Sequence, residues 1–299
     1  VDEKADKFVN VANQVWSTPE LGFKEEKSAA ALIAALESEG FKVTTGLAGI
    51  PTAFVGVWGE GHPAIALLGE FDALPSLSQE AGNDVHTPIC EGGNGHGCGH
   101  NLLGAGSLAA AVAVKDYMEQ NGIKGSVHYF GCPGEEFGCG KMFMARAGAF
   151  DGIDAAFTWH PSNLNSVWGV SSLANNSIYY KFKGRTSHAA ASPHLGRSAL
   201  DACELMSVGC NYLREHIIPE ARLHYAYRDV GGSAPNVVQD HACVNYFIRA
   251  PKITQVLELI ERVNDVARGA ALMTGTELEP LVCATISPTM SSPSCSATV

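Results

Sequence analysis

The chain has 299 residues, of which 46% are apolar and 17% charged, and this composition excludes disordered, collagen-like and highly charged coiled-coil proteins. Twenty basic and 31 acidic residues give a net charge of −11, so we expect neither nucleic acid nor an anionic membrane as a partner. The longest apolar stretch, 102–114, is too short to cross a bilayer.

The first half of the sequence alternates between helical and extended patterns. The predicted elements are two helices within 2–39 that end at Gly40, strands at 54–58 and 64–68, a helix at about 101–120, a strand at 126–130, a helix at about 141–146 and a strand at 155–159. Strands that alternate with helices favour a mainly parallel mixed sheet with helices on its faces. We therefore assign residues 1–170 to an α/β domain.

The pattern changes after Gly169. The predicted elements are a strand at about 173–183, a helix at 198–217, strands at 222–228 and 242–249, a helix at 254–272 and a strand at about 276–283. This βαββαβ order is that of the ferredoxin-like unit, so we place a second domain at 171–284, with its boundary near Ser171. Residues 285–299 show no period, and we expect them to be a tail, either truncated or a frameshifted return to the first domain.

Nine cysteines are spread at irregular spacing through the chain. An odd, irregular set is typical of reduced thiols rather than of a disulfide framework, which predicts a cytoplasmic protein.

Polar side chains of the metal-binding kind follow several strands of the first domain. They are Glu70 and Asp72 in GEFDALP, His96, Cys98 and His100 in GHGCGHN, Glu135 and Glu136 in CPGEEFGCG, and His160 after AAFTW. Sites in open α/β sheets form beyond the carboxyl ends of the strands, so we expect these side chains to meet there.

The motif GHGCGHN predicts a metal site. Its glycines allow a tight turn, and the thiolate of Cys98 and the imidazole of His100 suit zinc and its neighbours. The alternative is a glycine-rich turn with a buried thiol. Asp72 either orients a liganding imidazole or caps the turn that follows it.

Glu135 and Glu136 are adjacent carboxylates that would repel each other unless a cation compensated them. One of them is expected to bind metal while the other accepts a proton. The alternative is an exposed acidic loop. His160, considered alone, is more typical of a structural histidine, and only its neighbours make it a candidate ligand.

Three residues of the second domain are candidates if that domain closes over the metal site. They are His188 in GRTSHAA, Asn236 in GGSAPNVVQD and Arg249 at the end of VNYFIR. The alternative for Arg249 is a solvated charge at a strand end.

Taken together, these motifs resemble a known family. GEFDALPSLSQ, GHGCGHNLLG, CPGEEFGCGK, TWHP, SHAAASPHLGRSALDA and APNVVQD, in this order, are similar to the family of p-aminobenzoyl-glutamate hydrolase subunits, within the dinuclear-metal amidohydrolase and carboxypeptidase clan. The resemblance covers about 5–283. It implies a catalytic α/β domain and a ferredoxin-like lid domain that mediates dimerisation.

The resemblance also implies a role for each candidate residue. Cys98, His100, Glu136 and His160 match the metal ligands, Glu135 the general base, His188 of the opposite subunit the group that polarises the scissile carbonyl, and Asn236 and Arg249 the groups that hold the oxyanion or carboxylate of the substrate. The implied cofactors are two divalent ions, zinc or manganese. The implied assembly is a homodimer through the lid, with a second related subunit as an alternative.

The activity that the resemblance implies is hydrolysis of an amide bond in N-acyl amino acids, with p-aminobenzoyl-glutamate or a similar N-acyl-glutamate as substrate. Two alternatives stay open. One is a dipeptidase of the same clan. The other is an inactive dimerising paralogue, because the family supplies a last histidine ligand after the lid and no histidine follows His241.

Overall fold

The computed structural model describes residues 2–137, 140–167, 169 and 171–287. The described residues form two compact units, one ending at Ser166 and one starting at Val167, a few residues before the predicted boundary. Most of the predicted tail, 288–299, lies outside the described residues. Within the described ranges, none of the helices combines the length and the apolarity that a membrane span requires.

The first unit is built on a five-stranded mixed sheet. Its elements are α1 (Ala5–Ser17), α2 (Glu26–Ser38), β1 (Lys42–Thr45), β2 (Phe54–Glu60), β3 (Ala64–Glu70), α3 (His100–Asn121), β4 (Gly125–Cys132), α4 (Gly140–Arg146) and β5 (Ala155–Phe157). The strand order is β1-β2-β4-β3-β5, in which β4, β3 and β5 are parallel while β1 and β2 run antiparallel to their neighbours. The predicted mixed α/β sheet is confirmed, with two differences. The structure adds β1, and β5 ends at Phe157 rather than at Trp159.

Alternate residues of β4 face two different cores, as the period of a strand requires. Val127 and Tyr129 pack with α1, α2 and α3 on one face of the sheet. Phe130 and Cys132 pack with Met144 of α4 on the other. Both faces of the sheet are thus covered, and because β3 and β4 are parallel, the polar side chains at their ends meet at the carboxyl edge.

Glu39, which follows α2, joins the helices of this unit through ion pairs. Its carboxylate accepts from Lys4 Nζ at 2.7 Å and from Lys7 Nζ at 2.5 Å, and Lys115 Nζ lies at 4.0 Å. Burial alone raises the pKa of Glu39, but the hydrogen bonds from Lys4 and Lys7 outweigh burial and hold the pKa below its ordinary value. The Glu39 side chain is only 8% exposed, so water screens these pairs less than it screens surface pairs.

The variant Glu39→Gln is expected to lower the free energy of unfolding by about 1 kcal/mol at neutral pH. Because the folded-state pKa of Glu39 is lowered, its stabilisation is present above the unfolded-state pKa and is lost as the pH falls through the folded-state value. Urea denaturation at neutral pH and at about pH 3 measures this difference. A difference that persists unchanged in acid would assign the effect to packing instead of charge.

The second unit follows the predicted order of strands and helices up to its second helix. Its elements are β6 (Ala174–Lys183), α5 (Ala199–Leu213), β7 (Arg222–Asp229), β8 (His241–Ala250), α6 (Ile253–Thr274), β9 (Glu277–Leu278) and β10 (Val282–Ser287). The strand order is β10-β6-β8-β7, with every pair antiparallel, and β9 also pairs with β6. In place of the one strand predicted at 276–283 there are two, β9 and β10, and β10 runs to Ser287, past the predicted domain end at 284 and into the predicted tail. Helix α5 ends at Leu213 and is followed by a single 3₁₀ turn, so it is shorter than predicted.

Helices α5 and α6 of this unit pack against the buried side chains of its sheet. Tyr180 of β6 and Tyr246 of β8 meet edge to face at 5.8 Å, and the Tyr180 hydroxyl donates to Asn264 of α6 at 2.8 Å. Strand β7 forms one end of the strand order, and nearly all of its side chains are exposed. This strand is therefore an edge at which another strand can pair.

Candidate metal centre

Side chains from four segments of the first unit meet around His100, the first residue of α3. Two groups of three potential ligands share this histidine: Cys98, His100 and His160, and Glu70, His100 and Glu135. Within each group the ligand atoms all lie within 4.8 Å of one another. Glu136 Oε1 lies 4.0 Å from His100 Nε2 and belongs to the same cluster.

The turn before α3 depends on Gly99. Its φ of +77° is in the left-handed region that glycine adopts most readily, and a Cβ there would lie 2.9 Å from the ring of Pro161. The turn carries Cys98 and His100 to the same place. Cys98 Sγ lies 3.2 Å from His160 Nε2, and the rings of His100 and His160 meet edge to face at 5.8 Å.

Asp72 orients both the His100 ring and the loop that carries Glu135 and Glu136, called the acidic loop below. His100 Nδ1 donates to Asp72 Oδ1 at 2.9 Å, and the backbone N–H of Glu136 donates to Asp72 Oδ2 at 2.8 Å. Of the two roles that the sequence left open for Asp72, this geometry favours orientation of the imidazole. A carboxylate behind a liganding histidine fixes its tautomer and leaves Nε2 with a free lone pair.

His100 Nε2 faces three carboxylates. It lies 3.2 Å from Glu70 Oε2, 3.8 Å from Glu135 Oε2 and 4.0 Å from Glu136 Oε1. Across the described ranges, the buried atoms His100 Nε2, Glu70 Oε2 and Glu136 Oε1 have no hydrogen-bond partner. Lone pairs and carboxylates that face one another in a buried site repel unless a cation or a proton lies between them. The residues present therefore fit a divalent cation.

The pKa values in the cluster shift in the directions that clustered acids impose. Burial lowers the pKa of His100, but the hydrogen bond to Asp72 and the charges of Asp72, Glu70 and Glu136 outweigh burial and raise the pKa. Burial and then the charge of Glu136 raise the pKa of the Cys98 thiol to about 12. Without a cation the cluster thus favours bound protons. Protons and metal ions both supply the positive charge that offsets the clustered carboxylates.

Glu135 and Glu136 lie at similar distances from His100 Nε2 but differ in exposure. The Glu135 side chain is 40% exposed and that of Glu136 is 16% exposed. Burial, followed by the charge of Glu70, raises the pKa of Glu135, and a raised pKa suits a group that exchanges protons near neutral pH. The more buried Glu136 suits a ligand, and the more accessible Glu135 suits a base.

A buried glutamate that the sequence did not single out supports the acidic loop. Glu25 is fully buried, and it accepts from the backbone N–H of Gly134 at 2.8 Å and from the Thr52 hydroxyl at 3.0 Å. Gly134 has a φ of +66°, and a Cβ there would lie 2.6 Å from the Phe23 ring. The sequence FKEEK gives no signal for this role, because charged residues at a helix start are usually solvated.

Two further residues differ from the sequence-based interpretation. His96 does not join the cluster: it is buried, its Nε2 lies 3.0 Å from the Val15 carbonyl oxygen, and its ring stacks on Trp16 at 6.3 Å. Lys141, which sequence reasoning missed, pairs through Nζ with Glu70 Oε1. A lysine at the start of a predicted helix carries no sign of such a partner.

In the second unit, His188 and Asn236 lie on paired loop segments. His188 forms an isolated bridge with Val237, and the N–H of Ala189 donates to the Asn236 carbonyl at 2.9 Å. The N–H groups of Ala190 and Ala191 approach His188 Nδ1 at 3.2 and 3.1 Å, so Nδ1 accepts. The neutral His188 ring therefore carries its proton on Nε2 and can donate from there.

Arg249 lies on β8 of the same unit, opposite Asn175 and Arg222 in the two neighbouring strands. Its guanidinium lies 5.4 Å from the centre of the Phe247 ring. Its Nε is buried and has no hydrogen-bond partner in the part of the chain that the structure describes. Arg249 therefore retains an unused donor, which differs from the fully solvated charge that was the alternative.

The chain is similar to a known peptidase family and to hydrolases of that kind. The model of peptidase family M20/M25/M40 matches residues 66–278. The chain is 52% identical over 279 residues to one of the subunits of p-aminobenzoyl-glutamate hydrolase of Escherichia coli, covering 93% of this chain and 58% of that protein. It is 32% identical over 291 residues to Xaa-Arg dipeptidase of Mus musculus, covering 93% of this chain and 63% of that protein. The chain thus spans less than two thirds of the length of these relatives.

A solved structure has the same fold. It is a dinuclear metal binding peptidase of the M20 family from Bacillus subtilis, which matches with a TM-score of 0.66 and 20% identity over 97% of this chain and 76% of that one.

Proposed function

The chain belongs to peptidase family M20/M25/M40, and from that premise we propose that it hydrolyses the amide bond of N-acyl amino acids with the help of divalent metal ions. The substrate we propose is p-aminobenzoyl-glutamate or a similar N-acyl-glutamate, on the basis of the Escherichia coli relative. One observation carries the proposal. Asp72 fixes the ring of the buried His100. The Nε2 of this ring faces three carboxylates and has no hydrogen-bond partner among the described residues.

The proposed ligands are Cys98, His100, Glu136 and His160, and the proposed cofactors are two divalent ions, zinc or manganese. A thiolate favours zinc, whereas carboxylate and imidazole also suit manganese. When bound, such ions act as Lewis acids that polarise the amide carbonyl and lower the pKa of the attacking water. Asp72 holds His100 in the tautomer that ligation requires, and its second oxygen holds the backbone of Glu136.

Glu135 is the proposed general base. Its carboxylate takes a proton from the attacking water and returns it to the leaving amine as the carbon–nitrogen bond breaks. Its accessibility and its raised pKa support this role over a ligand role. The leaving amine is the amino group of glutamate in the proposed substrate.

His188, Asn236 and Arg249 are the proposed substrate contacts of the second unit. His188 Nε2–H donates to the oxygen that becomes negative when water attacks the carbonyl. Asn236 and Arg249 hold the oxyanion or the carboxylate of the amino acid. The Nε donor of Arg249, which lacks a partner within the ranges the structure describes, supports such a role.

The proposed assembly is a homodimer through the second unit, in which His188 serves the site of the opposite subunit. Edge strand β7, with its exposed side chains, supports pairing between two copies. A different, related subunit as the partner is the alternative, since the Escherichia coli relative is itself named as one subunit of a hydrolase. The proposed location is the cytoplasm, supported by the free thiols among the described cysteines.

Elemental analysis combined with a substrate screen tests the proposal. The 299-residue chain, and a version extended to the length of its relatives, are analysed for zinc and manganese and assayed on p-aminobenzoyl-glutamate and other N-acyl-glutamates. The expected result is bound metal in both and glutamate release that stops on chelation and returns with metal. Protein that binds neither metal, or metal-loaded extended protein that releases no glutamate, would contradict it.

A dipeptidase is the second candidate function, favoured by the similarity to Xaa-Arg dipeptidase. The same screen therefore includes dipeptides that end in arginine or lysine. Higher kcat/KM on these dipeptides than on any N-acyl-glutamate would select the dipeptidase, because the two substrate classes differ both in the acyl group and in the charge of the side chain on the leaving amino acid.

Cys98→Ser is expected to reduce the metal content of the protein. The hydroxyl of serine stays protonated near neutral pH and is a much weaker ligand than thiolate, while its volume is similar. Metal per chain is measured by elemental analysis after dialysis. Unchanged stoichiometry and affinity in this variant would remove Cys98 from the site.

A further inference from the structure

Glu70 is a carboxylate of the cluster to which the ligand set proposed above gives no role. It is the last residue of β3, and its side chain is only 8% exposed. Lys141, near the start of α4, pairs with one of its oxygens, Oε1. The other oxygen, Oε2, lies 3.2 Å from His100 Nε2.

The contact between Glu70 Oε2 and His100 Nε2 is not a hydrogen bond. Both atoms are buried, and neither has a hydrogen-bond partner among the described residues. The Nδ1 of His100 donates to Asp72, so once Nε2 loses its proton, as metal binding requires, it presents a lone pair to a carboxylate oxygen. Lys141 is already paired with the opposite oxygen of Glu70 and does not fill this position.

A separation of 3.2 Å is what two ligands of one ion show. Ligand atoms bound to zinc at about 2.0–2.1 Å in a tetrahedral arrangement lie about 3.3 Å apart. The charge balance points the same way, because the carboxylates of Glu70, Asp72, Glu135 and Glu136 meet around His100 and Lys141 pairs with Glu70 alone among them in the described residues. Lys141 leaves this cluster acidic, so a divalent ion is still needed to compensate it.

We propose that Glu70 is a further metal ligand and that Lys141 is the positioning residue that presents it. By holding Oε1, Lys141 fixes the rotation of the carboxylate so that Oε2 faces the same point as His100 Nε2. This inference rests on the proposed metal site and adds a ligand to it. The competing view is that the pair between Glu70 and Lys141 serves only to stabilise the first unit.

Metal titration of matched variants separates the two views. Zn²⁺ affinity is measured by competition with a chromogenic chelator, and the visible absorption of the Co²⁺-loaded protein reports its ligand set. The variants are Glu70→Gln, which keeps the shape of the side chain, and Lys141→Met, which keeps much of its length. Glu39→Gln is the control, because Glu39 also has an 8% exposed side chain paired with lysine but takes no part in the cluster around His100.

Glu70→Gln is expected to weaken Zn²⁺ binding by more than about 100-fold and to change the Co²⁺ spectrum. Lys141→Met is expected to weaken binding by about 10- to 100-fold with a smaller spectral change, since the ligand stays but its support is lost, and Lys141→Arg is expected to restore part of the affinity. Glu39→Gln is expected to keep both the affinity and the spectrum of the unmodified protein.

Wild-type affinity and an unchanged spectrum in Glu70→Gln would overturn the inference while leaving the metal site itself in place. Protein that binds no metal before any substitution would instead contradict the proposed function. If Glu70→Gln does not fold, Glu70→Asp takes its place, because it retains the charge that pairs with Lys141 and moves only the ligand oxygen. A Glu70→Asp protein with wild-type affinity and spectrum would overturn the inference equally.

Discussion

Glu135→Gln is expected to retain bound metal and to lose roughly a hundred- to ten-thousand-fold in kcat. Glutamine has nearly the same shape as glutamate but cannot accept a proton at the pH of the assay. In the structure, Glu135 is the more exposed member of the acidic pair, and its pKa is raised by burial and then by the charge of Glu70. Both properties suit a group that exchanges protons with water and with substrate.

The measurement combines kcat on the best N-acyl-glutamate with metal per chain, in protein extended to the length of its relatives. Glu136→Gln is the matched comparison, since it alters the neighbouring residue in the same way. Glu136→Gln is expected to lose metal, because its buried Oε1 faces His100. If Glu135→Gln lost the metal and Glu136→Gln kept it, the two roles would be exchanged. Full turnover in metal-loaded Glu135→Gln would remove it from the chemistry.

Most of the sheet of the first unit was predictable because β2, β3 and β4 are apolar and the helices that follow β3 and β4 have a recognisable pattern. Strand β1 was not, since its sequence KVTT has no apolar alternation and its side chains are largely exposed. The end of β5 was misplaced for the opposite reason. Trp159 is apolar and extends the pattern, but it lies beyond the paired residues and is 42% exposed.

The candidate site was predictable to the extent that its residues follow strands. Parallel strands end at one edge, so Glu70, Asp72, Glu135 and Glu136 could be expected to meet, and the structure brings them together around His100. His96 shows the limit of this reasoning. It shares a motif with Cys98 and His100, yet the backbone turns it toward α1, where it contacts the Val15 carbonyl.

The residues that support the site, Lys141 and Glu25, could not be predicted from the sequence, because packing between segments far apart in the chain decides which side chains they meet. Lys141 and Glu70 are 71 residues apart, and Glu25 and Gly134 are 109 residues apart. No local pattern connects such residues, and a lysine or glutamate near a helix start is usually solvated. Only the close packing of α2, α4 and the sheet turns them into internal partners of the acidic loop.

His188→Ala is expected to lower kcat by about 100- to 1,000-fold with metal content unchanged. The backbone N–H groups of Ala190 and Ala191 fix the tautomer of His188 so that Nε2–H is the donor, and the ring is exposed. A donor held in this way stabilises the oxyanion more than it stabilises the neutral carbonyl. His194→Ala is the control, since it removes another exposed histidine of the same loop region, and it is expected to keep kcat.

Mixing two inactive proteins tests whether His188 serves the opposite subunit. Extended Glu135→Gln and His188→Ala proteins are combined under conditions that exchange subunits, and exchange is verified with differently tagged chains. If each site takes Glu135 from one chain and His188 from the other, a heterodimer contains one site with both wild-type residues and one site with neither. Activity should then rise toward a quarter of the wild-type value per chain, because random exchange makes about half of the dimers mixed and each mixed dimer has one working site. Verified exchange without any recovery would place His188 in the site of its own chain or remove it from catalysis.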